Sequence, residues 1–116
     1  MDLKIHYLQI TSTYFKYVLK LFMQLIKIIS KDFDIPDHLS ESQLRQAMVD
    51  AFAYLIDNDF AKLIQILYKA DVDQYKLKEL LETVGGLSSA EVIADAYITR
   101  QMAKVETWNK YSPKRD

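Results

Sequence analysis

Residues 13–31 read TYFKYVLKLFMQLIKIISK, and this stretch decides the fold. Polar residues recur in it every three or four positions and share one stripe of an α-helix. These residues are Thr13, Lys16, Lys20, Gln24, Lys27 and Lys31. The side chains opposite the stripe are apolar, over a face wider than that of an ordinary surface helix. The pattern therefore predicts a helix that is buried against more than one neighbour.

The flanks of this helix are less regular. In residues 1–10, apolar and polar side chains alternate in a way that fits a strand, but we favour a continuation of the helix or an ordered tail. Downstream, Asp34-Ile35-Pro36 predicts the helix end, because a residue before proline is pushed out of the helical region.

Four more helices are predicted between residues 35 and 112. Two capping boxes, Ser40 with Gln43 and Ser88 with Glu91, mark the starts of the second and fifth. Aspartate-rich turns at 57–59 and 71–73 precede the third and fourth, and Gly85-Gly86 ends the fourth.

Apolar residues at helical spacing predict the core-facing stripes. The second helix contributes Leu44, Ala47, Met48, Ala51, Phe52 and Leu55. The third contributes Phe60, Leu63, Ile64, Leu67 and Tyr68, and the fourth contributes Leu77, Leu80, Leu81 and Val84. The fifth contributes Ala90, Ala94, Ile98, Met102, Val105 and Trp108. Together these stripes predict an all-α fold, a compact bundle of about five helices with short connections.

The 116 residues fit a single domain, 1–116, with its helical core in residues 35–112. Residues 1–31 hold five lysines against one aspartate, whereas residues 32–116 hold ten basic and fifteen acidic side chains, which gives the net charge of −1. The N-terminal helix is therefore a basic element on an acidic body. Either it packs within the bundle with its lysines paired to acidic groups, or it is an added element.

Composition and charge disfavour several classes of protein. A lysine at the centre of a membrane span costs about 2.5–3.5 kcal/mol, and Lys20 lies near the middle of the long apolar stretch. No signal-peptide cleavage pattern follows that stretch, so we expect a cytoplasmic location. The chain has no cysteine, which removes thiol chemistry and disulfides.

Candidate metal and catalytic patterns are incomplete. Asp71 and Asp73 begin a calcium-loop register, but Tyr75 and Lys76 replace the required oxygen ligand and glycine, so these aspartates are read as helix caps. No nucleophile elbow or glycine-rich phosphate loop occurs. We therefore assign no catalytic, cofactor-binding or metal-binding residue, and expect no enzyme activity, cofactor or small-molecule ligand.

Glu91 and Asp95 lie one helical turn apart, a spacing found in metal-binding bundles, but neither His6 nor His38 provides the accompanying histidine. The two acids are better explained by the dipole at a helix N-terminus. Nucleic acid is an improbable partner, since the aromatic residues fall mainly off the lysine stripe and the isoelectric point is 6.1.

From residue 35 onward the chain resembles a set of short uncharacterised bacterial helical proteins. The resemblance rests on LIDNDF at 55–60, ILYKADV at 66–72, LKELL at 77–81 and AEVIAD at 90–95. It implies a helical fold and a bacterial source, and it carries no activity, ligand or site residue.

The function expected from the sequence is a non-catalytic protein–protein interaction or structural module, acting on a protein partner or as a homo-oligomer. The alternative is peripheral membrane association, with helix 13–31 lying on a membrane surface. In both cases the expected interaction face consists of Tyr14, Phe15, Phe22, Ile26, Lys16, Lys20 and Lys27.

Overall fold

A computed structural model of the chain describes the backbone of residues 2–111 and the side chains of residues 13–111. Over the described backbone the chain forms five α-helices without a strand, which confirms the predicted all-α class. The helices are α1 (Asp2–Ile29), α2 (Glu41–Asn58), α3 (Phe60–Lys69), α4 (Gln74–Thr83) and α5 (Ser89–Tyr111).

The helix starts follow the predicted caps. The Ser40 hydroxyl accepts the Gln43 N–H at 3.3 Å while the Gln43 side chain accepts the Ser40 N–H at 2.9 Å. Ser88 and Glu91 make the same reciprocal pair, with both distances 3.1 Å. Asp73 accepts N–H groups in the first turn of α4, so it is a cap, as its sequence context predicts.

α1 differs from the prediction at its C-terminal end. It ends at Ile29, and a turn follows in which the N–H groups of Asp32 and Phe33 both bond to the Ile29 carbonyl. This turn brings the Phe33 ring to Phe52 and Tyr97, with centroids 5.3 and 5.7 Å away in edge-to-face geometry. The helix therefore stops before Pro36, because an aromatic contact with the core replaces another helical turn.

The centre of the bundle is α5, which packs against α1, α2 and α4, while α3 packs on α2. Its buried surface is accordingly wider than the predicted stripe. The buried residues are Ala90, Val92, Ile93, Ala94, Tyr97, Gln101 and Val105. Trp108, predicted to face the core, is exposed in the last turn of α5.

The predicted stripe of α2 is confirmed by the burial of Leu44, Met48, Phe52 and Leu55. In α3 the prediction is wrong for three residues: Phe60, Ile64 and Tyr68 are exposed, and Leu63, Ile66 and Leu67 are buried. α3 packs mainly on α2, so a narrow stripe is enough. α4 packs mainly on α5 and buries none of its ten residues completely.

The molecule is elongated, with principal extents of 57 × 34 × 28 Å. Its radius of gyration is 17.2 Å, whereas a compact chain of this length has about 13 Å. The difference arises from α1, whose 28 residues form a helix about 42 Å long.

Candidate interaction surface

α1 has two parts with different surroundings. Near its C-terminal end, Leu25 and Ile29 are 2% and 0% exposed and belong to the core. Near the start of its described side chains, Tyr14 and Phe15 are 67% and 64% exposed. Large aromatic side chains with this much exposure need an explanation, because they lie next to each other on one helix.

The exposed and buried parts belong to one continuous stripe of α1. Spacings of four and three residues connect Tyr14, Val18, Leu21, Leu25 and Ile28. A second row, offset by one residue and repeating every seven, contains Phe15, Phe22 and Ile29. Residues at these spacings lie on the same side of a helix and form the kind of seam used in helix pairing. The side of α1 that enters the core therefore continues toward its N-terminus.

The seam loses its cover where α5 ends. α1 and α5 run antiparallel, since Asp32 contacts Tyr97 whereas Gln24 contacts Asn109 through a hydrogen bond of 2.7 Å. The described part of α5 extends to Tyr111 and covers α1 only to about Leu21. The preceding nineteen or so residues of α1 extend about 28 Å past the described part of α5. We call this part of α1, residues 2–20, the overhang.

The described side chains of the overhang form an apolar surface, which we call the overhang face. It consists of Tyr14, Phe15, Tyr17, Val18 and Leu19. Four of these are exposed and Val18 is half-buried. An aromatic side chain presents about 150–250 Å² when fully accessible, so the overhang face offers roughly 400 Å². A patch of this size is within the range of the largest apolar patch on a typical monomer, which is often functional.

Lysines occupy the other side of α1. Lys16, Lys20 and Lys27 are exposed, as the sequence predicts. Among the side chains at 13–111, none of these three makes an ion pair, so the alternative in which they pair with the acidic body is not found for them. Other basic side chains pair with Asp32, Asp71, Glu91 and Asp95.

The interaction face expected from the sequence is only partly available. Tyr14 and Phe15 are exposed, and so are the three lysines. Phe22 is half-buried and packs against the core. Ile26 is 6% exposed and belongs to the core itself, so its assignment to an interaction face is corrected. It lies past the point where α5 begins to cover the seam.

Glu91 and Asp95 do come together, but with an arginine that the sequence analysis did not include. Arg45 of α2 donates to both Asp95 oxygens at 2.8 and 3.0 Å and lies 3.5 Å from a Glu91 oxygen. Hydrogen bonds from Ser88, and then from Arg45, lower the pKa of Glu91. The pKa of Arg45 is raised, chiefly by Asp95. The cluster fastens α2 to α5, and within residues 13–111 no group of three His, Asp or Glu side chains could hold a metal ion.

A second polar cluster fastens the end of α1 to α5. The Tyr97 hydroxyl donates to Asp32 at 2.6 Å and accepts from the Gln101 side chain at 3.1 Å. Burial and the Asp32 bond both raise the pKa of Tyr97, so its hydroxyl stays protonated as a donor. Lys69 lies 3.6 Å from the other Asp32 oxygen. No sequence signal links residues 65 positions apart, and this cluster was missed.

Two grooves lie elsewhere on the bundle. One of about 820 Å³ runs between α4 and α5, with Leu77, Leu80 and Val84 on its α4 side. Arg100 on its rim is bound to the carbonyl and carboxylate of Asp71. The other, of about 570 Å³, is bordered by α1, α2 and α5 next to Arg45. Neither lining contains a histidine, and both are grooves between packed helices.

Comparisons with protein-family models, with curated proteins and with solved structures find no match to this chain. Across residues 2–111, the helices do not combine the length and the apolar character that crossing a lipid bilayer requires.

Proposed function

We propose that this protein is a non-catalytic interaction module that binds a protein partner through the overhang face of α1. One observation supports the proposal: the seam that enters the core at Leu25 and Ile29 continues past the end of α5 with its aromatic side chains exposed. The same apolar pattern that builds the fold is therefore present where none of the side chains at 13–111 covers it.

Covering the overhang face offsets the costs of binding a partner. A single helix of about twenty residues is marginal in water, because helices in proteins depend on packing of their apolar face. Covering roughly 400 Å² at about 25 cal/mol per Å² is worth about 10 kcal/mol before the costs of association. That gain is comparable to the costs of association, so the described overhang face alone is close to the threshold of stable binding.

A membrane surface is the second candidate, because Lys16, Lys20 and Lys27 are exposed and make no ion pair within residues 13–111. They lie opposite the overhang face, which is the arrangement of an amphipathic helix in a membrane interface. A protein partner is preferred because the overhang face continues the seam that packs inside the bundle at Leu25 and Ile29.

Amide hydrogen exchange on the full chain tests the proposal. In a dilute monomer we expect fast exchange at residues 13–20 and strong protection at residues 25–29, because only the second segment is covered. Strong protection of both segments in the monomer would mean that the chain covers its own overhang, and the proposal would be wrong.

The membrane alternative is tested in the same assay with vesicles of phosphatidylcholine, with and without phosphatidylserine. The proposal expects exchange at residues 13–20 to be unchanged by either vesicle. Protection that requires phosphatidylserine and disappears at high salt would replace the protein partner by an anionic lipid surface.

A further inference from the structure

We propose that the groove between α4 and α5 binds a single-chain carboxylate amphiphile, a saturated fatty acid of about twelve carbons. The groove is separate from the overhang face and does not depend on the function proposed for it. No sequence motif marks this site, because its two sides come from helices that only the fold brings together. Its volume, its width, its lining and the charges at one end each narrow the choice of ligand.

The packing of α4 leaves space beside it. α4 packs mainly on α5, yet none of its residues is completely buried. Leu77, Leu80 and Val84 line the groove and are only half-buried. Packed elements of a protein leave few voids larger than a water molecule, whereas this groove has a volume of about 820 Å³. That volume lies within the range of small-molecule sites, and a ligand in it would complete the packing of α4.

The space suits a narrow ligand better than a helix. α4 and α5 are in direct contact, and the axes of two packed helices lie about 8–10 Å apart. A helix with its side chains is about 10–12 Å wide, so a third helix cannot enter between them. On the α5 side the groove is lined by the short side chains of Ala96, Thr99 and Ala103, which leave space for an extended chain.

The lining favours a hydrocarbon over an extended peptide. Away from the start of α4, the only polar side chains in it are Thr99 and Asp95, and Asp95 is already bound to Arg45. A peptide backbone in such surroundings would leave N–H and C=O groups without hydrogen-bond partners, which is costly. An alkyl chain carries no such groups, so it fits this part of the groove.

The length of the groove sets the length of the chain. α4 lines it from Lys76 to Val84, and α5 lines it from Val92 to Ala103. At about 1.5 Å per residue, these segments are about 12 and 16 Å long. An extended alkyl chain advances by about 1.3 Å per carbon, because its bonds of about 1.5 Å alternate in direction. A chain of about twelve carbons therefore spans the groove.

Positive charge at the end near the start of α4 complements a carboxylate. Lys76 lies there and makes no ion pair with another described side chain. Lys104, one helical turn beyond Arg100, is half-buried, and burial and the Arg100 charge lower its pKa. The acids at this end are engaged, since Asp71 binds Arg100 and Asp73 caps α4. An anionic head group supplies the charge that this end lacks.

Isothermal titration calorimetry of the full chain with sodium dodecanoate, kept below its micelle concentration, tests the proposal. We expect saturable binding of dodecanoate and at least about tenfold weaker binding of octanoate, because each buried methylene adds to the affinity. Dodecyltrimethylammonium, which has the same chain and a cationic head, should also bind at least about tenfold more weakly.

Three results of this titration would overturn the proposal. Absence of saturable dodecanoate binding would mean that the groove is not a site for this ligand. Equal affinities of dodecanoate and octanoate would mean that the alkyl chain does not lie along the groove. Equal affinities of dodecanoate and dodecyltrimethylammonium would mean that the site does not select an anionic head group.

Two exposed lysines of α4 provide matched variants, since Lys76 lines the groove and Lys78 lies outside its lining. We expect Lys76→Glu to weaken dodecanoate binding at least about threefold and Lys78→Glu to stay within about twofold of the wild type. Equal losses in both would contradict a carboxylate at this end. Ala96→Phe places a ring in the groove and should abolish binding if circular dichroism shows it folded, and undiminished binding by the folded variant would contradict the site.

Amide hydrogen exchange locates the bound ligand and separates this site from the overhang face. We expect dodecanoate to slow exchange in α4 and to leave residues 13–20 unchanged, because the ligand completes the packing of α4 alone. Protection at residues 13–20 without protection of α4 would place the amphiphile on the overhang face and overturn the groove site.

Discussion

The two halves of α1 carry the same pattern in different surroundings. Toward its C-terminus, Leu25 and Ile29 are enclosed by the bundle, and the Asp32–Tyr97 bond closes the end. Toward its N-terminus, Tyr14 and Phe15 continue the same side of the helix with most of their surface exposed. The helix is uniform, so the difference arises from the length of its neighbour.

Two factors determine which residues of an apolar stripe are buried. The spacing determines which side chains share a side of the helix, and the lengths of the neighbouring helices determine which of them are buried. α5 covers α1 only to about Leu21. A stripe that is longer than its neighbour serves the fold at one end and is available for binding at the other.

We expect the largest difference in unfolding free energy between the two halves of α1 when one apolar side chain is truncated in each. We expect Ile29→Ala to lower the free energy of unfolding by about 2–5 kcal/mol, because Ile29 is completely buried. Phe15→Ala should change it by less than about 0.5 kcal/mol in the monomer. Urea denaturation at low protein concentration measures both. Similar losses of unfolding free energy in the two variants would mean that both halves of α1 are equally well packed.

We expect a smaller loss of stability from removing the Tyr97 hydroxyl, which joins the buried half of α1 to α5. Tyr97→Phe keeps the ring contacts with Phe33 and Phe52 but removes the partner of Asp32 and of the Gln101 side chain. Leaving buried polar groups unpaired costs about 1–3 kcal/mol, and we expect a loss of unfolding free energy in that range.

Tyr14→Phe is the matched control, since it removes the same hydroxyl from the exposed half. It should leave the urea midpoint of the monomer unchanged. A loss as large as that of Tyr97→Phe would show that the exposed half is also held by polar contacts.

The smallest effect is expected from Glu91, at the start of α5 and far from the overhang. Its pKa is lowered by Ser88 and Arg45, so the folded protein binds its proton less tightly than the unfolded chain does. This contribution to stability is complete above the ordinary pKa of about 4.3 and is lost as pH falls through the lower pKa of the folded state.

We therefore expect the stability advantage of the wild type over Glu91→Gln to shrink between about pH 6 and about pH 3 in urea titrations. If the difference in unfolding free energy between the wild type and Glu91→Gln stays constant over this range, ionisation of Glu91 does not stabilise the fold.

Much of the fold was predictable because its determinants are local. The serine capping boxes at 40–43 and 88–91 and the cap at Asp73 depend on residues within one helical turn. The apolar stripe of α2 also follows from spacing alone. The end of α1 was misplaced because Phe33 turns toward rings of α2 and α5, a contact that is distant in sequence.

The candidate site was predictable only in part for the same reason. The sequence identifies the aromatic and lysine sides of α1 but gives no indication of where α5 ends, so it could not separate exposed Phe15 from buried Ile26. Arg45 was missed because its partners, Glu91 and Asp95, lie on a helix far along the chain.

The residues of α5 that cover the seam of α1 are synthesised much later than α1 itself. The two hydrogen bonds that join this end of α1 to α5 link positions 65 and 85 residues apart. Until α5 has been synthesised, the whole seam is exposed, from Tyr14 to Ile29. During synthesis, folding of the bundle and binding of a partner therefore compete for the same surface. The order in which the two halves of the seam are covered therefore depends on the order of synthesis as well as on the folded structure.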